Sequence, residues 1–139
     1  MIVLDTNVIS ELMRSRPNPR VLQWVDQQDE ATLFVATVTL AEIRFGIAML
    51  PQGQRRAALD ANFENEIRPM FGDRVLDFDE SASRAYAAIR AAGARAGSAI
   101  GLADALIASV AYARRFLVAT RDTSPFLVAG LQVINPFAD

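Results

Sequence analysis

Histidine, cysteine and lysine are all missing from this 139-residue chain. Without cysteine there is no disulfide, and without Cys or His there is no zinc site of the usual nitrogen and sulfur type. The lack of histidine also removes the Ser-His-Asp triad and every imidazole acid or base. All 14 basic residues are arginine, which rules out a Walker lysine, a Schiff-base lysine and a kinase-type ATP lysine. Catalysis is left mainly to carboxylates and hydroxyls. Long apolar runs are missing too. The longest uncharged stretch, Thr123 to Ala138, holds Pro125, Gln132, Asn135 and Pro136, and falls short of the roughly 18 apolar residues of a membrane span. The opening MIVLDTNVIS has neither the basic start nor the longer apolar region of a signal peptide, so a cytoplasmic protein is expected.

What is present is a globular composition, 52% apolar against 22% charged. The length and the absence of any internal boundary predict one domain over residues 1–139. A formal net charge of −2 gives no general attraction to a phosphate backbone, so any nucleic-acid binding has to rely on local arginines or on a cation.

Five short β-rich runs, Ile2 to Leu4, Leu33 to Ala36, Val75 to Phe78, Phe116 to Ala119 and Gln132 to Ile134, have the length of buried strands. Helical patterns separate them. Asn18 and Pro19 read as N-cap and first residue of one helix, and Leu59, Phe63, Ile67 and Met70 form a stripe at helical spacing. Asp79 reads as the cap of another helix, with Ala82, Tyr86 and Ile89 inward, and a further helix is expected from about Gly101 to Arg114. Strands alternating with helices predict an α/β fold of three layers, a mainly parallel, roughly five-stranded sheet between helices. Ligands of such sheets gather at the carboxyl ends of the strands.

Four acids map to that edge. Asp5 follows the first strand and Asp122 lies just beyond the fourth, although either could simply cap a helix. Asp104 is the only charge between Arg95 and Arg114 and shares its helix face with Ile100, Ile107, Ala108 and Ala111. Thr39-Leu40-Ala41-Glu42 fits a capping box, which explains Glu42 without chemistry, yet Glu42 also follows a strand. Together the four would repel one another, and the cluster becomes sensible around a hard divalent cation; oxygen-only ligands suit Mg²⁺ or Mn²⁺. Such a cation activates water and stabilises a displaced phosphate oxygen.

The segments MIVLDTN, TVTLAEIRFG, LADALIASVA and LVATRD, in this order, make the whole chain resemble a PIN domain. Its tail, Asn135-Pro136-Phe137, is similar to that of the FitB-like branch of VapC-type toxins. The resemblance implies a metal-dependent endoribonuclease, the toxin of a toxin-antitoxin pair, whose acidic metal ligands correspond to Asp5, Glu42, Asp104 and Asp122. It implies supporting roles for Asn7 and the hydroxyls of Thr6 and Thr120, a homodimer, and a cognate antitoxin whose tail fills the active-site groove. Many members carry a further Asp just before the Phe that follows the TRD-like motif; Pro125 stands there in this chain, which puts a second metal in question. Arg14, Arg16 and Arg20 form a basic cluster suited to phosphate or an acidic partner, and Arg121, beside Asp122, is set either to approach the chemistry or to pair with a site acid.

Two other readings compete. Val75-Leu76-Asp77-Phe78-Asp79 places a DxD pattern beside a strand, as in aspartate-nucleophile phosphatases, with Asp77 as nucleophile. Its mid-chain position and the lack of any lysine oppose this. The third reading is a noncatalytic interaction module on the same fold.

Overall fold

The computed structural model describes residues 1–138. Five strands form one sheet: β1 (Ile2–Leu4), β2 (Leu33–Ala36), β3 (Val75–Leu76), β4 (Leu117–Ala119) and β5 (Val133–Ile134). Their order is β3-β2-β1-β4-β5, and each neighbouring pair is parallel. All five expected strands are present. The outer ones are shorter than their apolar runs because β3 stops before Asp77 and Gln132 lies outside β5, where its carbonyl accepts from Val118 N–H at 3.1 Å.

Alternation along the strands divides the interior into two cores. Val3, Ala36 and Val118 face one side, where they meet α5 (Glu80–Arg95), α6 (Leu102–Arg114) and Phe126 of α7 (Thr123–Val128). Ile2, Leu4, Val35 and Ala119 face the other, packed by α1 (Thr6–Leu12), α2 (Pro19–Gln27), α3 (Thr37–Ala48) and the segment that follows α4 (Gln54–Asn62). The Leu59-Phe63-Ile67-Met70 stripe survives two changes of helical pitch: a π turn spans Phe63–Ile67 and a 3₁₀ turn Arg68–Phe71, while Phe63 and Ile67 stay buried.

The expected caps form at two helices. The Asn18 side chain accepts from Arg20 N–H at 2.9 Å ahead of Pro19, and Asp79 accepts from Ala82 N–H at 2.9 Å. The capping box at Thr39 does not form. Helix α3 already begins at Thr37, its N-cap Ala36 has no polar group to contribute, and Thr39 is a fully buried third residue of the helix. No helix among the described residues is long and apolar enough to cross a membrane.

Candidate active site

Strand order reverses between β1 and β4, because the chain leaves β1 towards β2 and β3 and returns to place β4 and β5 on the other side. A parallel sheet opens a crevice at the carboxyl ends of such a strand pair. Asp5 ends β1 there, and Thr120, Arg121 and Asp122 follow β4. Helix α3 follows β2 and carries Glu42 in its second turn. Helix α6 leads back into β4, so its first turn, which holds Asp104, starts at the same edge.

Asp5 is the anchor. It is 4% exposed, and its two oxygens are separately engaged. Oδ1 accepts from Thr6 N–H at 2.8 Å, the helix-cap contact, while Oδ2 accepts from the Thr120 hydroxyl at 2.8 Å and from Asn7 Nδ2 at 3.4 Å. The Thr120 oxygen in turn accepts from Asn7 Nδ2 at 3.1 Å and from Asp122 N–H at 3.0 Å, which fills the capacity of one hydroxyl. Asn7 Oδ1 accepts from Arg121 N–H at 3.1 Å, and so the turns after β1 and β4 are stitched together. On the α3 side the Thr6 hydroxyl donates to Glu42 Oε1 at 2.5 Å and lies 3.2 Å from the buried Thr39 hydroxyl.

Burial and crowding act on the acids. Desolvation pushes the Asp5 carboxyl up to about 6 from an ordinary 3.8, against the downward pull of its Thr120 and Thr6 hydrogen bonds and with the help of the Asp104 and Glu42 charges. Asp104 is also raised, first by desolvation and then by the charges of Asp122 and Glu42. Asp5 thus feels the charges of Asp104 and Glu42, and Asp104 those of Asp122 and Glu42. The carboxylates are nevertheless splayed: among the described residues no three acids are drawn together into a ready cage for one ion. The donor set still fits a hard cation, since it is oxygen only and none of the four acids forms an ion pair among the described residues.

Asp5, Thr6, Asn7, Glu42 and Asp104 line one hollow of about 510 Å³, together with Ser10, Glu11, Arg14 and Arg121. A larger cleft of about 750 Å³ lies between α1, α3 and α4, lined largely by apolar groups such as Met13, Ile47 and Leu59. Thr6, Ser10, Arg14 and Glu42 border both spaces, so the cleft opens directly onto the acids.

Residues 2–130 match the PIN domain. The chain belongs to the PIN-domain family. Among curated proteins it is similar to the VapC ribonuclease Y4jK of Sinorhizobium fredii, with 51% identity over 99% of this chain and 98% of that one. It is 42% identical to the toxin FitB of Neisseria gonorrhoeae over the full length of both. Among solved structures, that of FitAcB from Neisseria gonorrhoeae superposes with a TM-score of 0.93 at 42% identity, covering 99% of each chain.

Within this PIN fold Asp5, Glu42 and Asp104 share one hollow and Asp122 stands exposed just beyond β4, where its charge acts on Asp104; capping alone does not account for them. Asp122 stands at the N-cap of α7 but makes no capping bond, and its side chain is exposed. Asp5 does cap α1, with one of its two oxygens. Asp104 is half-buried above an apolar stripe in which Ile107, Ala108 and Ala111 are inside. The DxD motif lies elsewhere: Asp77 is exposed beyond the edge strand β3, and Asp79 is engaged by its cap and by Arg114 at 3.6 Å. The basic cluster is divided, with Arg14 at the acid hollow and Arg20 lining a separate one beside Trp24 and Pro136. Arg121 pairs with none of the four site acids. Its partner is Glu11, a nearly buried carboxylate that no sequence motif singles out.

Proposed function

We propose that residues 1–139 work as one nuclease domain, the ribonuclease toxin of a toxin-antitoxin pair, which hydrolyses RNA phosphodiester bonds with the help of Mg²⁺ or Mn²⁺. The observation that carries this reading is Asp5, a buried carboxylate on which the charges of Asp104 and Glu42 act, while none of the three forms an ion pair among the described residues. Relatives named as a VapC ribonuclease and a toxin support the substrate class and the biological role.

Asp5, Glu42, Asp104 and Asp122 are the residues that would hold the cation. When bound, a divalent ion supplies an activated water and charge stabilisation for the phosphoryl oxygens. The chain's own part is orientation. Thr120 and Thr6 fix Asp5 by one bond to each oxygen, and the Thr6 hydroxyl holds one oxygen of Glu42 so that the other is left for the hollow. Asn7 keeps the two turns in register, which sets the distance between Asp5 and Asp122. The larger cleft, which shares Thr6, Ser10, Arg14 and Glu42 with the hollow, suits an antitoxin segment that shuts off RNA entry, and a homodimer completes the proposed assembly.

The test is cleavage of a mixed single-stranded RNA pool. Cleavage is expected with Mg²⁺ or Mn²⁺, is lost in excess chelator, and falls about a hundredfold or more in Asp5→Asn, Asp104→Asn and Asp122→Asn. Undiminished cutting in chelator would overturn the metal role. RNA binding without cutting under any divalent ion would leave the noncatalytic module as the better reading.

A further inference from the structure

Glu11 has no task in the chemistry proposed above, and yet it is 3% exposed at the wall of the acid-lined hollow. An ionised carboxylate is costly to bury unless donors surround it. Donors from three stretches of chain reach it: Asn18 N–H at 3.0 Å, Arg14 Nη1 at 3.4 Å, and Arg121 Nη2 at 3.2 Å. Both arginine side chains stay more than half exposed, and both line the hollow beside Asp5, Glu42 and Asp104. Arg121 is fixed a second time, because its guanidinium carbon lies 4.1 Å from the centre of the Phe137 ring.

A guanidinium carries five N–H donors in a planar fork, and Glu11 occupies only the near side of each. Two cations are thus held on one buried anion with donors to spare. Ordinary exposed arginines lose rotamer freedom when they bind, whereas these have already given up part of it to Glu11 and Phe137. The rim of a strongly acidic hollow is also where an RNA chain, repelled by the carboxylates and by the net charge of −2, most needs local positive charge. Resting on the ribonuclease reading, we infer that Arg14 and Arg121, clamped by Glu11, form a subsite for a backbone phosphate of RNA next to the bond that is cut.

Binding of a fluorescein-labelled single-stranded RNA, followed by anisotropy across a salt titration, tests this in an Asp104→Asn background that separates binding from cutting. Adding Arg14→Gln or Arg121→Gln is expected to raise Kd about tenfold and to lower the slope of log Kd against log salt by about 0.7 for each phosphate no longer neutralised. Arg84→Gln removes the same charge from an exposed pair with Glu80 on α5 and is expected to leave Kd within about twofold. Unchanged Kd and slope in both site variants would overturn the subsite and leave these arginines to an acidic partner segment. An equal loss in Arg84→Gln, or no RNA binding by the Asp104→Asn protein, would overturn it as well. If Asp104→Asn protein still cuts at the wild-type rate, the assignment of the metal site falls. The same arginine variants, read as a raised KM at unchanged kcat, then still decide the subsite.

Discussion

At the scale of single residues, Asp5 and Asp104 make stability depend on pH in an unusual direction. A carboxyl raised from 3.8 to about 6 binds more protons in the folded state than in the unfolded one between those values. Stability of the metal-free protein therefore falls as pH rises from about 4 to about 6, and the full cost, on the order of 3 kcal/mol for Asp5, is present above that. Asp104→Asn is expected to flatten this fall, because only burial and the Asp122 and Glu42 charges act on Asp104. Asp5→Asn is expected to gain less, since an amide has one acceptor oxygen where the carboxylate offers two, and either Thr6 N–H or the Thr120 hydroxyl is left facing an NH2 group. Thermal melts in chelator at pH 5 and pH 7.5 check both; a wild-type protein more stable at the higher pH contradicts the argument. The four acids were legible because strand ends and a charge-poor helix mark them in sequence. Glu42 was the ambiguous one, as Thr39 to Glu42 spells a capping box whose N-cap would be Thr39, whereas the N-cap of α3 is Ala36 and the helix starts at Thr37. Glu11 was not legible. Its spacing to Arg14 is that of an ordinary surface pair, and nothing local announces Arg121, 110 residues further on.

At the scale of elements, the strands and caps followed from apolar runs and capping residues, while helix ends obeyed contacts that no pattern displays. Helix α6 ends on Arg115 in the left-handed region, φ 59, where its N–H bonds to the Tyr112 carbonyl at 3.1 Å. A residue with a Cβ is strained in that conformation and glycine is not, so Arg115→Gly is expected to stabilise the fold by roughly 0.5–1 kcal/mol. The turn after α5 gives the opposite sign. Gly93 is buried, and a Cβ there would stand 2.8 Å from the Ser98 carbonyl oxygen, a backbone atom held by the Ser98 N–H bond to Gly93 at 2.9 Å. Gly93→Ala is expected to destabilise by about 1–3 kcal/mol despite the better helix propensity of alanine. Urea unfolding of the two variants separates these outcomes, and a stabilising Gly93→Ala would show that the α5–α6 connection yields more easily than its contacts imply.

At the scale of the whole molecule, the fold uses the ends of its central strands to hold charges that oppose folding. Two cores grip β1 and β4 from both faces, and the crevice at their ends receives Asp5, Glu42 and Asp104, with Asp122 exposed just beyond β4. A ligand that binds only the folded state stabilises it by RT ln(1 + [L]/Kd), about 2.7 kcal/mol at a hundred times Kd. For a chain of this length that amounts to a rise in melting temperature on the order of 10 °C. Mg²⁺ at neutral pH is expected to produce such a rise in the wild type and a smaller one in Asp104→Asn and Asp122→Asn, which start from a relieved site but bind the ion less well. Screening alone also eases repulsion, yet it depends on ionic strength and not on ion identity. NaCl at matched ionic strength is therefore the deciding control. If it raises the melting temperature as much as Mg²⁺ does, or if the variants respond as strongly as the wild type, the acids merely repel one another and hold no ion. If Mg²⁺ alone is effective and the response shrinks with each acid removed, the cluster is a cation site whose binding energy offsets the cost of building it.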